Sequence, residues 1–248
     1  MSGHSKWSQI KRAKGVTDVK RGQLFTKLGR EISVATRSGG GPDPEANARL
    51  RLAVQRAREA NMPMDTIERA IKRSSGTDSV ALEEILYEGY GPNGAAIMIE
   101  AMTDNRNRTV AEIRNVFKNS GGRLGESGCV AYLFDTRGII SVGSDGLDPD
   151  EVALTAIDAG ADDFRVDDDG IEIYTDPTQI ETVRAALEQV RVPVNNAEMA
   201  MIPKTTLELE PKDTVTVLRM MERLEELDDV QRVYSNLELS EEALKQYV

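Results

Sequence analysis

Residues 137–203, RGIISVGSDGLDPDEVALTAIDAGADDFRVDDDGIEIYTDPTQIETVRAALEQVRVPVNNAEMAMIP, decide the fold. The opening RGIISVG is a short apolar run closed by a Gly/Ser/Asp cluster, the pattern of a buried strand. PDEVALTAIDAG then carries apolar residues at helical spacing. FRVDD and IEIYT read as two strands around a turn at Asp169-Gly170, TQIETVRAALEQV as a second helix and AEMAMIP as a last strand. The order β-α-β-β-α-β is the split βαβ signature of a ferredoxin-like unit.

On the amino-terminal side, EILYEGYG and AAIMIEAMT read as strands joined by Gly-Pro-Asn-Gly at 91–94. NRTVAEIRNVFKNSGG reads as a helix with Val110, Ile113, Val116 and Phe117 inward, and GCVAYLF as the next strand. On the carboxy-terminal side, TVTVLRMMERLEEL and VQRVYSNLEL add one helix and one strand that could not bury their apolar faces alone. The strands before the insert lack helix cover, so the economical solution joins the two sides into one domain. Further out, Leu24–Ala35, Glu45–Ala60 and MDTIERAIKR have amphipathic helical spacing, with Leu50, Ala53, Val54 and Ala57 as the stripe of the second. The predicted fold class is α+β with three domains. These are a basic arm and small helical bundle (1–76), a discontinuous α/β domain (77–134 plus 206–248), and an inserted ferredoxin-like domain (137–205).

The 248 residues carry a net charge of −11, which argues against a polyanion as partner, but the mean conceals an asymmetry. Residues 1–73 hold sixteen Lys/Arg against seven Asp/Glu, so the first part is +9 and the remainder −20. A polyanion-binding end attached to an acidic body has this pattern. With one cysteine, no signal-peptide core and no apolar run near the ~20 residues of a membrane helix, a cytoplasmic protein without membrane attachment is expected.

Catalytic chemistry has few carriers. His4 is the only histidine and sits in the arm, and no GxSxG, Walker A or GxGxxG motif occurs. Cys129, inside an apolar run, reads as a buried small hydrophobe rather than a nucleophile. Asp162, Asp163, Asp167, Asp168 and Asp169 could be imagined as a magnesium site of a nuclease, but they read better as the solvated surround of a hairpin. A non-enzyme with no cofactor, metal or small-molecule substrate is expected.

The positive charges carry the functional reading. Lys6, Lys11, Arg12, Lys14, Lys20, Arg21, Lys27 and Arg30 meet only Asp18 as an acid before Glu31, a density that repels itself unless a polyanion neutralises it. Trp7 could stack on a base or anchor the arm. Arg49, Arg51, Arg56 and Arg58 either bind or flank the apolar stripe as solvated stems. Thr103–Thr109, TDNRNRT, is either a helix cap or, through Arg106 and Arg108, a phosphate site.

Several ordered motifs together resemble the YebC/PmpR family. They are GHSKW at 3–7, KRGQLFTKL at 20–28, NMP at 61–63, RAI at 69–71, YEGYGP at 87–92, TDNRNRT at 103–109 and GGRLGESG at 121–128. The resemblance spans nearly the whole chain. It implies a helical amino-terminal domain followed by two α/β domains and a cytoplasmic regulator that binds DNA and acts in transcription. Other members resemble translation factors, including a mitochondrial translational activator, which implies ribosomal RNA or the ribosome as the alternative partner.

Overall fold

The computed structural model describes residues 6–7, 18–38, 40–76, 82–143, 146–167 and 170–247, with side chains for all of these except 18–20 and 241. Two compact units result. One comprises Tyr132–Glu208, Tyr234–Leu239 and, at the amino end, Lys6 and Trp7; the other comprises the remaining described residues.

In the first unit the chain runs through β4 (Phe134–Val142), α5 (Pro149–Asp158), β5 (Ala161–Asp167), β6 (Gly170–Thr175), α6 (Ile180–Gln189) and β7 (Val194–Pro203). The sheet order is β5-β6-β4-β7 with every neighbour antiparallel, the arrangement expected of a ferredoxin-like unit. Ile140 and Val142 of β4 and Ile171 and Ile173 of β6 share one core with Val152 and Ala156 of α5 and Val183 and Leu187 of α6. Asp148 caps α5 by accepting the Asp150 N–H, and Pro149 fits the first helical position, where no N–H is needed.

The second unit begins with three helices, α1 (Asp18–Ser38), α2 (Ala48–Glu59) and α3 (Met64–Ser75). α1 is described from Asp18, six residues before the predicted Leu24. Leu28, Ile32 and Ala35 pack on Leu50, Ala53, Val54 and Ala57 and on Ile67. Buried Asn47 fixes the α1–α2 turn. Its side chain accepts the Leu50 N–H at 3.0 Å and donates to the carbonyls of Ala35 and Gly41, each at 2.8 Å.

The sheet of this unit contains β1 (Glu83–Tyr90), β2 (Ala96–Thr103), β3 (Arg123–Leu124) and β8 (Val230–Ser235) in the order β3-β1-β2-β8. α4 (Arg106–Asn119) and α7 (Pro211–Glu225) pack with it, and α8 (Glu241–Tyr247) packs on α7. The predicted strand GCVAYLF is absent. Cys129 lies in a loop, half-buried, residues 131–133 form a 3-10 turn, and the strand starts only at Phe134, continuous with RGIISV. The reason is the Glu88 carboxylate, which accepts the N–H groups of Gly128 (2.6 Å), Val130 (2.9 Å) and Ala131 (2.8 Å) and so removes them from any ladder. Burial alone would push Glu88 up, but those three donors hold it below the usual carboxylate range.

That loop is tied down further. The Tyr90 hydroxyl donates to the Cys129 carbonyl at 2.8 Å, the Gly125 N–H donates to the Glu88 carbonyl at 2.8 Å, and the Arg123 guanidinium lies 5.3 Å from the Tyr90 ring centre. The approach of α4 and β3 to β1 requires a missing side chain at Gly89, where a Cβ would lie 2.5 Å from Phe117 Cε1 and 2.7 Å from the Arg123 carbonyl oxygen. Gly89→Ala is therefore expected to lower stability by about 1–3 kcal/mol through overpacking. A urea midpoint equal to that of the parent chain would refute this account.

Candidate nucleic-acid interface

Among the residues singled out for binding, three cations are held by the protein itself. Arg30 of α1 pairs through Nη2 with Asp229 Oδ1 at 2.9 Å and also donates to the Asp228 carbonyl. Lys27, one turn earlier, donates to the Glu225 carbonyl at the end of α7. Arg108 in the first turn of α4 bridges Asp104 Oδ1 and Asp229 Oδ2, each at 2.8 Å.

Asp229 lies just ahead of β8 and is 2% exposed. Besides the two arginines it meets the hydroxyls of Thr103 at 3.1 Å and Thr109 at 2.6 Å, while its carbonyl accepts the Met102 N–H at 2.8 Å. Burial would raise its pKa. The Thr109 hydrogen bond, then Arg108, Arg30 and Thr103, outweigh that and hold it below the usual range. The TDNRNRT turn thus uses two of its threonines and one arginine on a buried carboxylate. Asn105 supplies the cap by accepting the Arg108 N–H at 3.1 Å.

The remaining predicted residues are placed as follows. Lys6 is half-buried and Trp7 is 1% exposed, so its ring is packed rather than presented for stacking. Lys11, Arg12 and Lys14 lie outside the described residues, as does the side chain of Lys20. Arg21 is exposed on α1, and Arg106, the first residue of α4, is exposed.

The α2 cations separate into two groups. Arg56 pairs with Glu31 at 2.7 Å, Arg49 with Glu84, and Arg51 donates to the carbonyls of Pro44 and Glu45. Exposed Arg58, by contrast, is paired to no acidic side chain among the described residues, and the same holds for Lys72 and Arg73 on α3 and for Arg114 and Lys118 on α4. Sequence reasoning passed over Lys72 and Arg73, a single pair closing a short amphipathic helix, and Arg114 and Lys118, which sit singly among neutral residues.

The acids considered for metal lie only partly within the described residues. Asp162 pairs with Arg137 at 2.6 Å, Asp163 accepts the Phe164 N–H, and Asp168 and Asp169 lie outside the described residues. Among the described residues no group of three or more His, Cys, Asp and Glu could hold a metal ion. Burial and the nearby Glu88 push the Cys129 thiol up, which disfavours the thiolate. No described helix is long and apolar enough to cross a membrane.

A model of the TACO1/YebC second and third domain matches residues 82–237, and a model of the TACO1/YebC protein N-terminal domain matches residues 5–77. The chain belongs to the TACO1/YebC family. It is 55% identical to a protein of Roseiflexus castenholzii named a probable transcriptional regulatory protein, over 100% of this chain and 99% of that one. It is 52% identical to one so named from Dehalococcoides mccartyi, over 100% and 98%. The crystal structure of a conserved hypothetical protein from Aquifex aeolicus superposes with a TM-score of 0.82 at 45% identity, covering 90% of this chain and 93% of that one.

The Asp229 cluster has a definite pH signature in this TACO1/YebC member. A folded-state pKa below the unfolded value of about 3.9 stabilises the fold at neutral pH, and the contribution is lost as pH falls through the folded value. Asp229→Asn is expected to cost about 1–3 kcal/mol at pH 7 and progressively less below about pH 4. Urea unfolding of both chains from pH 3 to 7 checks it. A difference as large at pH 3 as at pH 7 would show that the carboxylate's charge does not hold the cluster.

Proposed function

We propose that this chain is a non-enzymatic regulator of gene expression that binds duplex DNA, led by its basic amino-terminal part. The carrying observation is the charge partition, +9 over residues 1–73 against −20 over the rest. The shared name of the relatives, probable transcriptional regulatory protein, supports the regulatory half of the reading. Arg30, Arg56 and Arg108 have acidic partners within the chain, so they supply less to a ligand than their number suggests. In sequence the dense run Lys11, Arg12, Lys14, Lys20 and Arg21 carries the reading, with exposed Arg58, Lys72 and Arg73 adding positive charge on the helices. The acidic body would be repelled by a duplex wrapped around it, which confines the contact to a limited footprint.

If those five arm and α1 residues each neutralise a phosphate, changing all five to Ala should flatten the slope of log affinity against log salt by about four units. Titration of labelled duplex DNA between 50 and 300 mM salt (about that range suffices) reads it, and an unchanged slope would make the arm a bystander. The translational alternative is favoured by one feature, the −20 body, which complements basic ribosomal proteins. Crosslinking in cells separates the two. Promoter DNA is expected in the captured material, and ribosomal RNA with little DNA would overturn the transcriptional reading.

A further inference from the structure

α4 is a basic island in an acidic body. Between Asn105 and Arg123 lie Arg106, Arg108, Arg114, Lys118 and Arg123 against the single acid Glu112, whereas residues 74–248 as a whole are −20. The inner face of α4 is apolar, with Thr109, Ile113 and Phe117 buried. Its outward face carries Asn107, Ala111, Arg114, Asn115, Lys118 and Asn119, spaced i, i+4, i+7, i+8, i+11 and i+12, all six exposed, with exposed Glu112 at the edge beside Asn115 and Asn119.

Three asparagines stand on this face. Asparagine is among the poorer helix formers, and the cap of α4 is already supplied by Asn105. Asn119 donates through Nδ2 to Asn115 Oδ1 at 3.2 Å, so the two amides lie side by side along the helix. Ala111 keeps the middle of the face low, while Arg114 and Lys118 stand beside the amides. Side-chain amides read adenine through N6 and N7, and arginine and lysine read guanine or hold phosphates. A helix with side chains about 10–12 Å across fits the major groove of B-form DNA, about 12 Å wide, whereas the deep major groove of A-form RNA excludes it.

We propose that the outward face of α4 enters the major groove of duplex DNA and reads sequence there, with Asn115 and Asn119 contacting base edges and Arg114 and Lys118 contacting guanine or the flanking phosphates. This rests on the duplex-DNA reading above and adds to it the element that distinguishes one site from another. The amino-terminal cations supply sequence-independent affinity, and α4 supplies selectivity.

The test is selection from a pool of randomised duplexes using the full chain, followed by affinities for the selected site and for a scrambled duplex. The parent chain should prefer its selected site. Asn115→Ala combined with Asn119→Ala should cut that preference by about tenfold or more while leaving the salt slope unchanged. Arg114→Ala combined with Lys118→Ala should also lower the slope. These are exposed helix positions where Ala is the better helix former, so matching circular dichroism spectra confirm folding. DNA binding without sequence preference, or a preference that survives the asparagine substitutions, overturns the role of α4 and leaves DNA binding standing. Absence of duplex binding by the parent chain overturns both.

Discussion

A carboxylate that is 2% exposed cannot keep its charge without donors, and Asp229 collects them from across the unit. Arg30 comes from the helical region, Thr103 from the end of β2, and Thr109 and Arg108 from the first turns of α4. One buried charge therefore fixes how α1 meets the α/β body and where α4 begins. The outward face of α4 inherits its direction from this cluster, because Thr109 is both a ligand of the carboxylate and part of the buried stripe of the helix.

The consequence for function is a division of cations. Arginines whose neighbours include a buried or half-buried acid act as structural ties, and Arg30, Arg56 and Arg108 are of that kind. Those on outer helix faces, such as Arg58, Arg73 and Arg114, keep their charge for whatever approaches. A count of positive residues overstates the binding surface, and the correction requires knowing which acids fold back onto them.

The β-α-β-β-α-β order of 137–203 is legible from its periods alone, since each buried strand is bounded by Gly, Asp or Pro and each helix carries a single apolar stripe. The α2 stripe of Leu50, Ala53, Val54 and Ala57 is legible for the same reason. Two kinds of feature were not. The loop at 128–131 reads as strand because nothing local reveals that Glu88, forty residues earlier in chain order for Gly128, takes its N–H groups. Asp229 sits in an acidic stretch, Glu225-Glu226-Leu227-Asp228-Asp229, where a solvated loop is the natural reading, and its partners lie 120 residues and more away. In both cases a carboxylate acts at a distance that periodicity does not cover.

Gly89, Gly122 and Gly125 stand where β1, β3 and the loop they hold approach so closely that a Cβ would press on Phe117, the Tyr90 carbonyl and the Cys129 sulfur respectively. Every missense change reachable from a glycine codon by one nucleotide installs a Cβ. At the level of heredity every missense neighbour of these three codons meets that contact, so the glycines should persist through drift whatever the protein binds, and their persistence would report on packing rather than on a ligand.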